Sequence, residues 1–134
     1  MDTTTILAIV ISGVVGGIVT PLWYIALKDV HARLVPAGGP EIVDFRSAPT
    51  ASKVIDVARG FLVAAVLVAL VQQTGSSGVA SSMQLGLLLW LGFPLVLLIA
   101  PVIWGGQSWK LSALHAGDWL IKLLAMTAVL GLLL

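Results

Sequence analysis

The residues able to do chemistry gather at two places in this chain, and the more suggestive is the run His115-Ala116-Gly117-Asp118-Trp119-Leu120-Ile121-Lys122. At about 100° per residue, His115, Asp118 and Lys122 share one helix face, and their neighbours on the other faces are apolar. An imidazole, a carboxylate and an ammonium in that order could relay protons or hold a polar ligand. Asp118 and Lys122 are also four apart with the acid nearer the N-terminus, the favourable order for an ion pair. A second reading is therefore a neutralised pair whose lysine stem snorkels, beside an interfacial histidine. The other place is Lys53, Asp56 and Arg59, spaced three apart and followed by Gly60. Asp56 near a helix start is favoured by the macrodipole and needs no function. Arg59 either snorkels outward or reaches Asp118 across a helix interface.

Taken together, Asp56, Arg59, His115, Asp118 and Lys122 form a candidate polar vestibule, a ligand or proton pathway, if the faces that carry them meet. Other chemistry is poorly supported. There are no cysteines, so disulfides, thiolate metal sites and cysteine catalysis are out of reach. Two histidines, His31 and His115, are too few for a metal cage without several carboxylates. The chain has no HExxH, no P-loop, no dinucleotide fingerprint and no serine in a nucleophile elbow. No catalytic residue, metal or cofactor is expected, and a non-enzyme is preferred. A formal net charge of +1 gives no footprint for nucleic acid.

The elements that must position these residues are hydrophobic. Of 134 residues 59% are apolar and 10% charged, with a mean hydropathy of +1.10, well above the make-up of soluble domains. Four apolar runs, residues 5–27, 54–74, 79–103 and 113–134, are each long enough to cross about 30 Å of hydrocarbon as a helix. They lack the alternation of barrel strands. The expectation is a single all-α domain over 1–134, an integral membrane four-helix bundle of up-down topology. The N-terminus begins with an acid and lacks the basic region of a secretory signal, so the first run is read as a retained span.

The connections are unequal. Residues 28–53 form the one large polar loop, with Pro36, Gly38, Gly39, Pro40 and Pro49 and a short helix near Lys28 to Leu34. Gly75-Ser76-Ser77-Gly78 is an uncharged tight turn that makes an antiparallel hairpin of spans two and three. Lys28, Arg33, Arg46 and Lys53 fall in the first loop and Lys110 in the third, while the N-terminus and the tight turn have no basic side chain. By the positive-inside rule both basic loops are cytoplasmic and both termini extracytoplasmic.

Small residues at Gly13 and Gly17 in span one, and at Ala113 and Gly117 in span four, predict close helix packing within the bundle or between protomers. Trp23, Tyr24, Trp104 and Trp109 are read as interfacial aromatics. Pro94 and Pro101 are expected to kink span three.

Two segments, Gly86-Leu87-Leu88-Leu89-Trp90-Leu91-Gly92-Phe93 and Trp109-Lys110-Leu111 followed by Ala116-Gly117 and a Leu-rich span, join Trp23-Tyr24 in one pattern. The whole chain in that order resembles the small bacterial membrane proteins of the domain of unknown function 1761 family. In that family an aromatic often follows the Ala-Gly of the last span, where this chain has Asp118. A proline often follows the Trp-Tyr pair, where it has Ile25. The resemblance implies a multi-pass protein of the bacterial cytoplasmic membrane and no established activity. Two function classes stay open. One is a small transporter or channel for protons or a small polar solute, homo-oligomeric because four helices enclose little lumen. The other is a non-catalytic accessory or assembly subunit of a larger membrane complex.

Overall fold

A computed structural model describes residues 1–36 and 47–134, so Gly38, Gly39, Pro40 and Arg46 of the first loop lie outside the described residues. Six helical segments follow in order: α1 (Thr3–Ala26), α2 (Lys28–Leu34), α3 (Thr50–Thr74), α4 (Gly78–Gly92), α5 (Pro94–Gly105) and α6 (Trp109–Leu133). Among the described residues there is no strand. Four helices, α1, α3, the combined α4 and α5, and α6, are long and apolar enough to cross a membrane. This is an all-helical membrane protein.

Local sequence explains the ends of these helices. The Asp2 carboxylate accepts the Thr5 N–H at 2.8 Å and caps α1. Gly75 and Gly106 adopt left-handed φ values of 65° and 67°, which end α3 and α5 at no steric cost to a residue without a Cβ. α3 and α6 each begin four residues before the apolar run they contain, because the flanking polar residues still gain backbone hydrogen bonds.

Span three is broken where a proline follows Phe93. Phe93 has φ −123° and ψ −79°, so α4 stops at Gly92 and α5 restarts at Pro94. The Phe93 N–H still reaches the Leu89 carbonyl at 3.0 Å and its carbonyl accepts from Leu97 at 2.9 Å, so the two pieces stay end to end. Pro101 does not repeat this effect: α5 runs through it. Its carbonyl instead accepts the Gln107 N–H at 3.1 Å, closing the turn into α6.

Spans one and two (α1 with α3) and spans three and four (α4 and α5 with α6) pack as consecutive pairs, but spans two and three do not. The central element is α6, which packs most extensively on α4 and α1, and α3 packs mainly on α1. The tight turn therefore joins two helices that pack against different neighbours, and the expected hairpin of spans two and three is not a packed pair. Shape accounts for this. Gly131 of α6 lies so close to Gly78 and Val79 that an added Cβ would sit 2.6 Å from their backbone, and at Gly86 it would sit 2.6 Å from the Thr127 hydroxyl. α6 thus presents a surface that α4 can approach at van der Waals distance.

The core is a cluster of Ala8, Ala64, Leu67, Val68, Val71, Leu123, Met126 and Leu130 from α1, α3 and α6. It occupies the half of the molecule nearer the N-terminus and the Gly75 turn, here the turn end. At the opposite, loop end α3 contributes nothing buried: from Val54 to Arg59 every residue is exposed. α3 therefore leans on its neighbours through its second half only.

Candidate functional site

The loop-end half holds Asp56, Arg59, His115, Asp118 and Lys122, and they divide into two groups. In the first, the Asp118 side chain is buried, its residue only 4% exposed. Its Oδ1 accepts the Thr20 hydroxyl of α1 at 2.9 Å, and its Oδ2 faces the Lys122 ammonium at 3.8 Å. Lys122 also lies 4.1 Å from the centroid of the Trp119 ring, within the range of a cation–π contact. One helical turn separates Asp118 from Lys122, so the pairing follows from α6 alone, whereas Thr20 comes from a helix nearly a hundred residues away in sequence.

Lys122 opens on a groove of about 380 Å³ between α1, α3 and α6. Gly17, Thr20, Asp56, Arg59, Gly60 and Lys122 line it towards the loop end, and Phe61, Val63 and Met126 line its deeper part. It exists because α3 splays from its neighbours there, and because neither Gly17 nor Gly60 carries a Cβ: one added at either position would meet nothing within 4 Å. Lys122 is about 20 Å along α6 from Trp109, and Arg59 about 14 Å along α3 from Thr50, at 1.5 Å per residue. Both charges lie within helices long and apolar enough to cross a membrane, where such groups normally face a wet cavity or a partner.

Arg59 does not reach Asp118. Its guanidinium pairs with Asp56 one turn earlier at 3.2 Å, and both side chains are largely exposed, at 66% and 64%. The faces of spans two and four meet across the groove rather than in one ion cluster, because α3 packs mainly on α1 and is exposed from Val54 to Arg59. Gly16 of α1, rather than Gly17, makes the close approach to α6: a Cβ on Gly16 would sit 2.7 Å from the Met126 sulfur. Gly13 is closed in the same way by the Phe61 ring at 2.6 Å. The expected Gly13 and Gly17 packing pair is thus Gly13 and Gly16, with Gly17 facing the groove.

The second group is aromatic. The Tyr24 hydroxyl lies 2.6 Å from Nδ1 of His115, and the rings of Tyr24, His31 and His115 stand 5.7 to 5.8 Å apart, centroid to centroid. His31, from α2, is 7% exposed and docks that short helix onto α1 and α6. His115 thus joins this cluster rather than the groove. Among the described residues no group of three or more His, Cys, Asp or Glu side chains could hold a metal ion.

Two expected interfacial aromatics are structural. Trp23 lies against Gly117, where a Cβ would be 2.6 Å from its ring, and donates its indole N–H to the Leu114 carbonyl at 3.1 Å. Tyr24 is held by His115. Trp104 and Trp109 are exposed, at 88% and 66%, at the loop end of the molecule. Trp90 reaches α6 from the other side and donates to the Ala116 carbonyl at 2.8 Å. The Ala-Gly step of α6 is therefore clasped between two tryptophans, and the small residue facing inward is Ala116, because Ala113 points outward. Thr20, His31 and Trp90 escaped the sequence reading as site residues, and only Trp90 lay in a run that it quoted.

No curated protein and no solved structure matches this chain. A family model described as "Protein of unknown function (DUF1761)" matches residues 6–131. With nearly the whole chain matched, from the first turns of α1 to the last turn of α6, this four-span helical protein belongs to the DUF1761 family.

Proposed function

We propose that the protein is a small transporter or channel of the bacterial cytoplasmic membrane, admitting a small polar solute from the cytoplasmic side into the groove between α1, α3 and α6. The observation that carries this reading is Lys122, an ammonium deep in a membrane helix that is tethered to a buried carboxylate and lines an open groove with Arg59 and Asp56. A pair needed only for neutrality has no use for a cavity beside it. A solute pathway is better supported than a proton wire. His115 is engaged by Tyr24 and Asp118 by Thr20 and Lys122, and no hydrogen bond links the two groups among the described residues. Both basic loops and the groove mouth are then cytoplasmic, and a homo-oligomer supplies the enclosure that one copy lacks.

The absence of native cysteines makes the test direct. Gly17→Cys and Gly60→Cys place a thiol in the groove without a clash, and Leu62→Cys places one on the exposed flank of α3. A hydrophilic thiol reagent needs water to form the reactive thiolate. The groove thiols should react and Leu62→Cys should stay inert. Equal inertness of all three sinks the solute pathway. It would leave the second reading, an accessory or assembly subunit, for which the supporting observation is α5, a helix that buries none of its residues and so offers a full face to a larger complex.

A further inference from the structure

We propose that α2 is an acid-released latch: it stays docked on α1 and α6 while His31 and His115 are neutral, and protonation of the two imidazoles sets it free. Neither histidine lines the groove, so the latch stands independently of the solute pathway.

Its basis is how little holds α2 in place. The helix has seven residues, no side-chain cap at its N-terminus and one buried residue, His31. An isolated helix needs about 12 to 15 residues to persist in water, so α2 depends on docking, and docking depends largely on one ring. His31 meets Tyr24 of α1 edge to face, with centroids 5.7 Å apart and planes at 88°, and His115 of α6 at 5.8 Å and 65°. These are the contacts of a neutral aromatic ring. Among the described residues no hydrogen bond to the His31 ring accompanies them.

An imidazolium in that position is unanswered. It carries a full charge and two N–H donors, and each titratable or charged group packed around it among the described residues is neutral, cationic or engaged elsewhere. From α1 comes Tyr24, whose hydroxyl lies 2.6 Å from Nδ1 of His115. From α6 comes His115 itself. Asp118, a turn further on, is held by Thr20 and Lys122, and Lys110, earlier on α6, lies over the Trp109 ring. On α2, Lys28, Asp29 and Arg33 are exposed, and Asp29, two positions before His31, is on another face of the helix. Charging both imidazoles therefore places two like charges side by side with no counter-ion between them. Both rings regain water when α2 leaves. The released state then binds more protons than the docked one, and falling pH favours release. The change belongs to the range in which imidazole ordinarily titrates, about pH 5 to 8.

The test uses the full-length protein in phosphatidylcholine nanodiscs and its cysteine-free background. Spin labels at Ala32→Cys and Ser108→Cys, exposed positions on α2 and just before α6, report the distance between the two elements by pulsed dipolar spectroscopy at about pH 7.5 and about pH 5. A second pair at the turn end, Thr4→Cys with Ser77→Cys, reports on the spans. The α2 pair should give one narrow distance at the higher pH, joined in acid by a broad, longer population, while the turn-end pair stays unchanged. His31→Phe keeps a ring without a titrating nitrogen and should stay docked throughout. His31→Gln has neither ring nor titration, and its distances should be the same at both pH values whatever its extent of docking. His115→Phe keeps the facing ring and removes the second charge, so release should require at least about tenfold more acid. An α2 distance that ignores pH overturns the latch, as does acid release in either His31 variant or at an unshifted pH in His115→Phe. A turn-end distance that changes along with the α2 distance would mean general unfolding and overturns it too.

Discussion

Asp118 is the buried carboxylate among the described residues, and its two oxygens are answered from two helices, by Thr20 and by Lys122. Removing one member of such a pair strands the other in a medium that cannot solvate it, a loss of about 3 kcal/mol. Asp118→Asn should therefore lower stability by about that amount in thermal unfolding in detergent, and Lys122→Gln added to it should restore much of the loss. The same cycle run with Arg59→Gln should be additive within about 0.5 kcal/mol, since Arg59 pairs with Asp56 instead. A large coupling between Arg59 and Asp118 would contradict the separation of the two across the groove. What the sequence made legible here was whatever lies within one helix: the 3.6-residue period brings Asp118 and Lys122 together as a pair, while His115, one turn earlier, meets Tyr24 instead. Their partners were not legible. Thr20 and Tyr24 meet α6 at an angle set by Gly16 against Met126 and by Trp23 against Gly117, contacts between residues about a hundred positions apart that no local pattern encodes.

Glycines govern how the helices approach, and they fall into two kinds that a count of small residues cannot separate. Gly131 faces backbone at 2.6 Å, whereas Gly17 faces open space. Backbone cannot swing aside as a side chain can. Gly131→Ala should push α4 from α6 and cost at least about 1 to 3 kcal/mol of overpacking. Gly17→Ala should instead stabilise by up to about 1 kcal/mol, the helix propensity that glycine forgoes. Opposite shifts in melting temperature for the two variants are the expected result. If both destabilise alike, Gly17 is packed against something, and the groove is closed. Within the chain, Gly13 of the GxxxG pair packs on Phe61 and Gly16, not Gly17, meets α6, because the rotation of α1 decides which of two neighbouring glycines faces it. Pro94 was more transparent. A proline removes its own N–H and crowds the preceding turn whatever surrounds it, and the break at Phe93 follows from chemistry inside one segment. It also divides a span that, as one straight helix of 28 residues, would be about 42 Å long, well over the hydrocarbon thickness.

For the molecule as a whole, the four spans were legible because the bilayer imposes length and hydropathy on each separately, while their arrangement was not, because a short turn dictates adjacency in sequence and not which faces pack. Orientation is the remaining large-scale property, and it decides from which side the groove fills. Lys28, Arg33, Lys53 and Lys110 lie at the loop end, with no basic side chain at the N-terminus or the Gly75 turn, so the loop end should face the cytoplasm. The cysteine-free background allows one thiol at a time. Ser77 and Ser108 are both exposed, at opposite ends of the molecule. A membrane-impermeant maleimide should label Ser77→Cys in intact cells, and Ser108→Cys only after the cells are opened or in inverted vesicles. The reverse pattern would turn the groove mouth outward. Asp56, Arg59 and Lys122 would then meet solutes arriving from outside the cell, and the direction of loading proposed for this protein would have to be inverted, although the chemistry of the groove would stay the same.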